Sequence, residues 1–465
     1  MKNHIHILLV ISRLILLACL AGLLSRCENF VEAEPPRSQL SATAVFENYA
    51  TANAAMSDIY ARIRDAGLLS GRANGGQLFT GAYGDDLVSY ESGIYGTEPF
   101  YSNSLLASNN NVTDFWNTTY AQVYAANSML EGLAATTALS TQQHEQLQGE
   151  ALFVRALLHF YLTGLYGDVP YVTTTDYRIN TVARRMLTAE VYQHCIADLE
   201  TAVGLLPENY TVAGRIRPNK HAAQALLARV YLYAGLWAES SNAASAVLNN
   251  NTLYVWENDP EKVFLKDCTA TIWQLMPSAA GKNTEEGLTY IFSSGPPPQV
   301  ALNPKLMQAF EPGDLRREKW TKTVTTGGNS WSHAFKYKQR NNTGTTVEYS
   351  IVLRLGELYL VRAEARARQG ELIGAKEDLD KVRSLAGLGA TAALSQQDLI
   401  DAILRERRVE LFAEYSHRFL DLKRTGSLDA ALSDKPGWDP TDKHWPLPQA
   451  ELLANGNLAP QNPGY

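Results

Sequence analysis

The sequence predicts a mainly α-helical fold, in which helix pairs stack into a superhelical frame that carries irregular, loop-rich insertions and a few short hairpin strands. Three observations support this prediction. Apolar residues recur at helical spacing through most of the chain. Two segments of similar design, 221–248 and 350–388, each contain two helical stretches joined at a glycine. Between them, residues 252–349 lose this periodicity and contain turn clusters and short alternating runs.

The N-terminal half is predicted to consist of helices interrupted by one long insertion. The first strong helical pattern covers 43–67 and ends at Gly67. A stretch rich in Gly, Ser, Asn and Tyr follows at 68–111, which we interpret as the insertion. Helical spacing returns over 113–133, with Thr113 as the expected N-cap. Two more helices are expected at 144–166 and 187–207.

Small residues lie where the helices of the two similar segments must touch. Five residues after the joining glycines, Gly235 and Gly370, come Ser240 and Ala375. Four alanines precede those glycines at the same kind of position: Ala225, Ala228, Ala363 and Ala367. This arrangement resembles the tetratricopeptide pattern, in which helix pairs stack into a superhelix. The helices within 43–133 and 150–207 would supply two further pairs.

The C-terminal region continues the helical frame. Ser395 and Asp398 have the spacing of a capping box at the start of a helix within 395–426. Charged residues in the runs ARAEAR and RERR are expected to pair on helix surfaces, as Glu364 can with Arg368. The last residues are Pro-rich and are expected to form an extended strip over the surface.

One apolar block, 149–172, contains a polar stripe. Arg155, His159 and Thr163 are spaced four residues apart, so they share one face of a helix, and Asp168 follows shortly after its end. A buried arginine needs a partner, because an unpaired buried charge costs several kcal/mol. No nucleophile or metal ligand is evident beside the stripe. We therefore interpret it as scaffold that docks a neighbouring segment, in preference to a catalytic site.

Charge and motif content exclude several function classes. The chain has 465 residues and a formal net charge of −7, without a basic cluster that would indicate nucleic-acid binding. It lacks the G-x-S-x-G, H-E-x-x-H, P-loop and dinucleotide-binding motifs. The acidic pairs Asp85-Asp86 and Glu285-Glu286 are expected to lie on the solvated surface. No catalytic residue, metal or cofactor is predicted.

The cysteines have no metal-site spacing. A buried free thiol is the default for Cys195, and a disulfide with Cys268 is possible. The other two cysteines close an apolar N-terminal stretch that begins with Lys2. This layout resembles a bacterial lipoprotein signal over residues 1–26. We favour Cys27 as the lipidated residue, with Cys19 as the alternative, and interpret 27–42 as a tether.

Aromatic side chains are the candidate ligand contacts. The frame helices use their apolar faces on one another, so Trp116, which lies in a helical pattern, is expected in the core. Free rings should come from the insertions, in particular 79–101 and 273–337, because rings pack well against sugars or peptide side chains. At least two of six residues are expected to contact a ligand: Tyr83, Tyr90, Tyr95, Trp273, Tyr290 and Trp331.

Taken in order, these segments resemble the SusD/RagB family of outer-membrane nutrient-binding lipoproteins. The resemblance is carried by CENFVEAEPP, GEALFVRALLHFYLTGLYGDVP, LLARVYLYAG, LRLGELYLVRAEARARQG, RERRVELFAEYSHRFLDLKRTG and the terminal WPLPQAELLANGNLAPQNPGY. Arg26, just before the proposed lipidated cysteine, departs from the usual pattern. The resemblance implies an N-terminal helical region over 43–250 and a C-terminal region over 251–465, with the insertion 252–349 and the helices of 350–426.

The resemblance also implies a role without catalysis. A lipid-anchored protein on the cell surface would capture a glycan or a peptide and pass it to a SusC-like TonB-dependent outer-membrane transporter. The helical frame would meet the transporter, and the irregular face would hold the ligand. Two alternatives from other classes are a glycan-degrading surface enzyme on a helical frame and a pure tetratricopeptide scaffold for protein partners.

Overall fold

The computed structural model describes residues 4–7, 11–13, 42–93 and 95–465. Most of the signal segment and of the tether, including Cys19 and Cys27, lies outside the described residues; 4–7, 11–13 and 42 are the exceptions. From residue 42 onward the helices are α1 Ala42–Val45, α2 Tyr49–Asp65, α3 Gly76–Tyr83, α4 Glu98–Tyr101, α5 Asn110–Ala135, α6 Thr141–Tyr166, α7 Tyr177–Asn180, α8 Thr188–Leu205, α9 Lys220–Tyr233, α10 Trp237–Leu248, α11 Glu285–Tyr290, α12 Pro304–Ala309, α13 Leu315–Lys319, α14 Leu355–Arg368, α15 Leu372–Leu385, α16 Gln396–Leu411, α17 His417–Arg424, α18 Leu428–Leu432 and α19 Gln449–Ala454.

Stacked helix pairs form the frame, as the periodicity predicts. α2 packs on α5, α6 on α8, α9 on α10 and α14 on α15, and each pair also contacts the next one along the chain. α16 then packs on α14 and α15. The fold is therefore the mainly helical, superhelical arrangement expected from the sequence. Within the described residues, no helix combines the length and the apolar character needed to cross a membrane.

The predicted small residues do bring helices close. The side chains of Ala363, Ala367 and Ala375 are fully buried. Ser240 is also buried, and its hydroxyl donates a 2.9 Å hydrogen bond to the carbonyl oxygen of Ala228. Gly235 and Gly370 adopt positive φ angles of 75° and 82°, a conformation that glycine adopts without steric cost. The sequence pattern at the helix joints is thus explained by close packing and by turn geometry.

Helix starts are predicted with mixed success. The capping box is confirmed, because the Ser395 hydroxyl accepts from the Asp398 amide and the Asp398 carboxylate accepts from the Ser395 amide. The prediction of Thr113 as an N-cap is wrong. Helix α5 begins three residues earlier, where the Asn109 side chain accepts hydrogen bonds from the amides of Asn111 and Val112.

The strands are short and lie in three antiparallel pairs. They are β1 Leu87–Ser89, β2 Thr271–Leu275, β3 Val300–Leu302, β4 Thr321–Thr326, β5 Asn329–Ala334 and β6 Ser350–Arg354. β1 pairs with β3, β2 with β6, and β4 with β5. The last pair is the predicted hairpin, and its turn contains Gly327 and Gly328 at positive φ. β1 lies in the insertion between α2 and α5, and β3 lies in the insertion 252–349. The pairing of β1 with β3 therefore joins the two insertions.

Buried ion pairs attach the second insertion, and strand β6 that follows it, to the frame. Arg354 on β6 contacts Glu410 and Glu414, and Arg316 on α13 also contacts Glu410. All four side chains are buried. The expectation that the RERR run pairs on a helix surface is therefore wrong for Glu406 and Arg407, which are 3% and 1% exposed. Charged pairs here lie between elements, where they fix how one docks on another.

The two described cysteines, Cys195 and Cys268, are both free and buried. The default prediction for Cys195 is confirmed, and the possible disulfide does not form. The Cys195 thiol donates to the carbonyl oxygen of Ala156 at 3.4 Å. Burial raises the pKa of both thiols, so neither is an activated nucleophile.

Candidate functional site

Tyr90 is presented to solvent directly after strand β1. Its amide donates a 2.7 Å hydrogen bond to the carbonyl oxygen of Gln299, which extends the β1–β3 pairing by one residue. This pairing therefore fixes the backbone conformation at Tyr90. The side chain itself remains 42% exposed, so the ring is positioned by backbone pairing without being used in the core.

The loop that follows Tyr90 is held by a carboxylate. Glu91 accepts hydrogen bonds from the Gln299 side chain at 3.0 Å and from the amide and hydroxyl of Thr97 at 2.8 and 2.9 Å. Tyr95 lies on this loop, and its carbonyl oxygen accepts from the Asn111 side chain at the start of α5. Its ring is 71% exposed. The loop is thus tied to both insertions while it presents a free ring.

Trp331 reaches the same place from strand β5. Its neighbours in the chain, Ser330 and Ser332, are polar, and its own ring is half-buried. The ring lies against the backbone of Gly295, where an added Cβ would fall 2.1 Å from the tryptophan Cζ3 atom. A glycine is therefore required there for the observed ring position. The rings of Trp331 and Tyr90 meet edge to face, with centroids 6.4 Å apart and planes at 85°.

Tyr90 and Trp331 form one wall of a cleft, which we call the Tyr90–Trp331 cleft. Its volume is about 460 Å³, within the range of small-molecule sites. The remaining lining residues come from β3, α12, α13 and β5 and include Ala301, Leu302, Pro304, Met307, Gln308, Phe310, Arg317, Ser330 and Ser332.

Arg317 is the charged side chain of this lining. It is exposed and makes no hydrogen bond or ion pair through its guanidinium with the described part of the chain. Its N–H groups are free to donate to a ligand. None of the lining residues carries a carboxyl group. The groups that line the cleft are thus apolar surfaces, aromatic rings and uncharged or cationic hydrogen-bonding groups.

Three of the six predicted ligand residues are buried in the structure. Tyr83 and Trp273 have no exposed side-chain surface, and Tyr290 is 5% exposed. The Tyr83 hydroxyl donates to the Asp442 carbonyl oxygen at 2.7 Å, and the Trp273 indole N–H donates to that of Ile216 at 3.3 Å. These side chains pack the insertions onto the frame, and a ligand in solvent does not reach them. Tyr90, Tyr95 and Trp331 remain accessible, and of these Tyr90 and Trp331 meet.

The polar stripe of α6 is used inside the frame. Arg155 makes two 2.7 Å hydrogen bonds to the Asp198 carboxylate on α8 and a 3.0 Å bond to the Asn127 side-chain oxygen on α5. His159 Nδ1 donates to the Arg155 carbonyl oxygen, and Nε2 accepts from the Val172 amide. Burial lowers the pKa of His159 to about 3, so the ring is neutral. This geometry matches the scaffold interpretation.

Asp168 does not join this stripe. Its carboxylate accepts from the amide and hydroxyl of Thr188, at 2.8 and 3.1 Å, at the start of α8. The last of the four polar side chains, Thr163, donates to the Gly167 carbonyl oxygen, where α6 ends. Each group therefore has a structural partner within the frame.

Three of the four carboxylates in the two acidic pairs are buried, so the expectation of a solvated surface is wrong for Asp85, Asp86 and Glu286, whereas Glu285 is half-buried and pairs with Arg72 at 3.5 Å. Asp85 is buried and accepts hydrogen bonds from Arg408 and Arg418 at 2.7 to 2.9 Å. Asp86 is also buried, and burial together with the neighbouring Asp85 raises its pKa to about 6. Glu286 is buried between the Gln77 and Ser350 side chains. The described residues contain no group of three or more acidic, histidine or cysteine side chains that could hold a metal ion.

Comparison with known proteins identifies the family. Residues 41–232 match the family model described as "Starch-binding associating with outer membrane", and residues 307–465 match the SusD family model. The chain belongs to the SusD/RagB family. The two matches contain the N-terminal and C-terminal helix pairs of the frame, and β5 with Trp331 lies within the second.

Relatives of the SusD family align along most of the chain. A SusD-like protein of Formosa agariphila is 26% identical over 440 residues, which cover 81% of this chain and 85% of the relative. A SusD-like protein of Bacteroides ovatus is 24% identical and covers 87% of this chain and 81% of its own.

Solved structures of the SusD superfamily have the same fold. One from Bacteroides vulgatus aligns with a TM-score of 0.80 at 20% identity and covers 90% of this chain and all of that one. A structure described as a laminarin-binding SusD-like protein aligns with a TM-score of 0.75 at 23% identity and covers 90% and 99%. At these identities the likeness is one of fold.

The sequence signals for the cleft are uneven. The two segments that supply its rings are predicted, but Arg317, Gln308 and Met307 are not, because nothing in a short helical pattern marks which side faces a ligand. A hint does exist for Trp331. Polar serines flank it in an alternating strand, a pattern typical of a ring on an open face.

Proposed function

We propose that this SusD-family protein is a non-catalytic glycan-binding lipoprotein of the outer membrane, and that the Tyr90–Trp331 cleft holds the sugar. The supporting observation is that solvent-accessible rings from two separate insertions, held by independent backbone and glycine contacts, meet in one cleft. Flat rings pack on the C–H faces of sugars, and a free guanidinium and side-chain amide nearby can bind hydroxyl groups. The starch and laminarin named for the family model and for one structural relative agree with this ligand class.

The proposal includes a handover. Lipidated at Cys27 and anchored without spanning the membrane, the protein would pass its ligand to a SusC-like TonB-dependent transporter. This step predicts a stable complex. The tagged, lipidated protein, extracted from its native envelope in mild detergent, should co-purify with a TonB-dependent transporter identified by mass spectrometry. Purification without one would count against the handover and leave glycan binding to stand on its own test.

Native gels that contain laminarin, amylopectin, xylan or mannan test glycan binding. Wild-type protein should be retarded by at least one polysaccharide, and Trp331→Ala should weaken that binding by about 1–3 kcal/mol because a stacking ring is lost. Tyr90→Ala should act in the same direction. Trp438→Ala is the matched control, since Trp438 is also half-buried but lies outside the cleft. It should leave retardation unchanged.

Two outcomes would contradict the proposal. If the Trp331→Ala/Tyr90→Ala protein is retarded as strongly as wild type, the Tyr90–Trp331 cleft does not bind the polysaccharide. If incubation with a retarding polysaccharide releases new reducing ends, the enzyme alternative is correct. Retention of a peptide library without retention of any polysaccharide would favour the peptide class, which the cleft's rings also accommodate.

A further inference from the structure

A second cleft lies on the helical frame, away from the insertions. Its volume is about 510 Å³, and it is formed by α5, by the segment from Pro170 to Ala183 that contains α7, and by the C-terminal segment around α19. We call it the α5–α19 groove. It shares no lining residue with the Tyr90–Trp331 cleft.

Aromatic rings form the floor and the sides of this groove. Trp116 at the floor is 3% exposed, and its ring packs against that of Tyr120 with centroids 4.8 Å apart. The Tyr120 hydroxyl is used by the fold, since it donates to the Pro170 carbonyl oxygen at 2.8 Å. Two further rings are not used in the core. Tyr124 is 52% exposed and Tyr177 is 73% exposed, which makes them available to a ligand.

Hydrogen bonds hold the groove open in this shape. On one side, the Glu131 carboxylate of α5 accepts from the Thr174 hydroxyl and the Thr175 amide, at 2.9 and 2.8 Å, just before Tyr177. On the other side, the Asn455 and Asn457 side chains donate to the carbonyl oxygens of Ala183 and Val182, at 2.8 and 2.9 Å. The walls are therefore preformed, which reduces the entropy cost of binding.

Several polar groups in the groove have no partner in the described part of the chain. The side chains of Asn117 and Glu451 make no hydrogen bond or ion pair there, and neither do the hydroxyl groups of Tyr124 and Tyr177. No lysine or arginine lines the groove, and partial burial raises the pKa of Glu451. A negatively charged ligand would meet this carboxyl without a compensating cation. An uncharged ligand with hydroxyl groups can donate to it.

We propose that the α5–α19 groove is a second saccharide site, specific for neutral sugars, with Tyr124 and Tyr177 as stacking residues and with Asn117 and Glu451 binding hydroxyl groups. The proposal rests on the glycan binding proposed above for its ligand class. Because the second site has its own location and its own charge preference, either site can be refuted without refuting the other.

Two tryptophans provide independent reporters of the two sites. The chain has eight tryptophans; in 5-fluorotryptophan-labelled protein, ¹⁹F resonances of Trp116 and Trp331 can be assigned through Trp→Phe variants. Neutral hexaoses of glucose (α-1,4 and β-1,3), xylose and mannose are titrated, with hexagalacturonate as the anionic comparison. We expect at least one neutral hexaose to shift the Trp116 resonance, and Tyr124→Ala/Tyr177→Ala to weaken that response at least tenfold while the Trp331 response stays unchanged.

Five results would overturn one or both proposals. A Trp331 shift without a Trp116 shift overturns the second site alone, and a Trp116 shift without a Trp331 shift overturns the Tyr90–Trp331 cleft alone. A Trp116 shift that survives Tyr124→Ala/Tyr177→Ala but disappears in Trp331→Ala is relayed from the cleft, and it also overturns the second site. A Trp116 shift with hexagalacturonate only overturns the neutral class. If no sugar moves either resonance, both sites are rejected.

Discussion

Replacing Arg155 with alanine tests whether the polar stripe of α6 is scaffold. The guanidinium is held by the Asp198 carboxylate through two hydrogen bonds and by the Asn127 side-chain oxygen through a third. These partners lie on α8 and α5, so one side chain links three frame helices. Its removal leaves the Asp198 carboxylate between helices with the Tyr171 hydroxyl, at 2.5 Å, as its remaining side-chain donor in the described part of the chain.

The size of the effect follows from how far the pair is buried. Removing one partner of a buried ion pair costs about 3–5 kcal/mol, because the other charge is left without compensation. The side chains of Arg155 and Asp198 keep 10% and 12% of their exposure, and Tyr171 still supports the carboxylate. We therefore expect a loss near the lower end, about 3 kcal/mol of unfolding free energy.

Urea unfolding followed by circular dichroism measures this loss. Arg62→Ala is the matched control, since Arg62 pairs with Asp58 on a single helix and both side chains are more than half exposed; it should cost less than about 1 kcal/mol. Adding Asp198→Ala to Arg155→Ala should cost less than the sum of the single changes, because the uncompensated charge is removed. If Arg155→Ala unfolds like wild type but no longer binds polysaccharide, the stripe is a binding site and the scaffold interpretation is wrong.

Three further outcomes are expected. Cys27→Ala should abolish incorporation of an alkyne-labelled palmitate; labelling that is lost in Cys19→Ala instead would move the anchor. Gly295→Ala should displace the Trp331 ring and weaken polysaccharide retardation about as much as Trp331→Ala, with circular dichroism unchanged; full retardation would contradict the close contact. Asp86 has a folded pKa of about 6, above its ordinary value, so its contribution to stability falls as pH rises toward 6. Asp86→Asn should therefore raise the melting temperature at pH 7.5, and a lower melting temperature than that of wild type would refute this.

The helical frame is predictable because its signals are local. Apolar spacing, a glycine at each joint and small residues at helix contacts lie within about 40 residues of one another, so the pairs at 221–248 and 350–388 can be read from the chain. The partners of buried charges, in contrast, lie far away in the sequence. Asp85 is neutralised by Arg408 and Arg418, more than 300 residues later. No property of an Asp-Asp pair in sequence reveals such partners, so the surface interpretation fails.

The six aromatic candidates show where local reasoning reaches the site and where it stops. Trp273 and Trp331 are both on short strands of the same insertion, but Ile272 precedes Trp273 within a strand that is buried on both faces, whereas serines flank Trp331. A strand buried on both faces has no open side for a ring, and an alternating strand has one. Trp273 thus has one apolar and one polar neighbour, Ile272 and Gln274, whereas both neighbours of Trp331 are serines, and this difference separates the two tryptophans.

The same criterion does not separate the tyrosines. Tyr83 ends a short helix and packs against the rings of Phe419 and Trp445, at 5.2 and 5.8 Å, while Tyr90, seven residues later, is left exposed after β1. What decides between them is the C-terminal part of the chain, which covers one ring and not the other. Local pattern can therefore nominate an insertion as a ligand face, but the choice of ring depends on contacts made several hundred residues away.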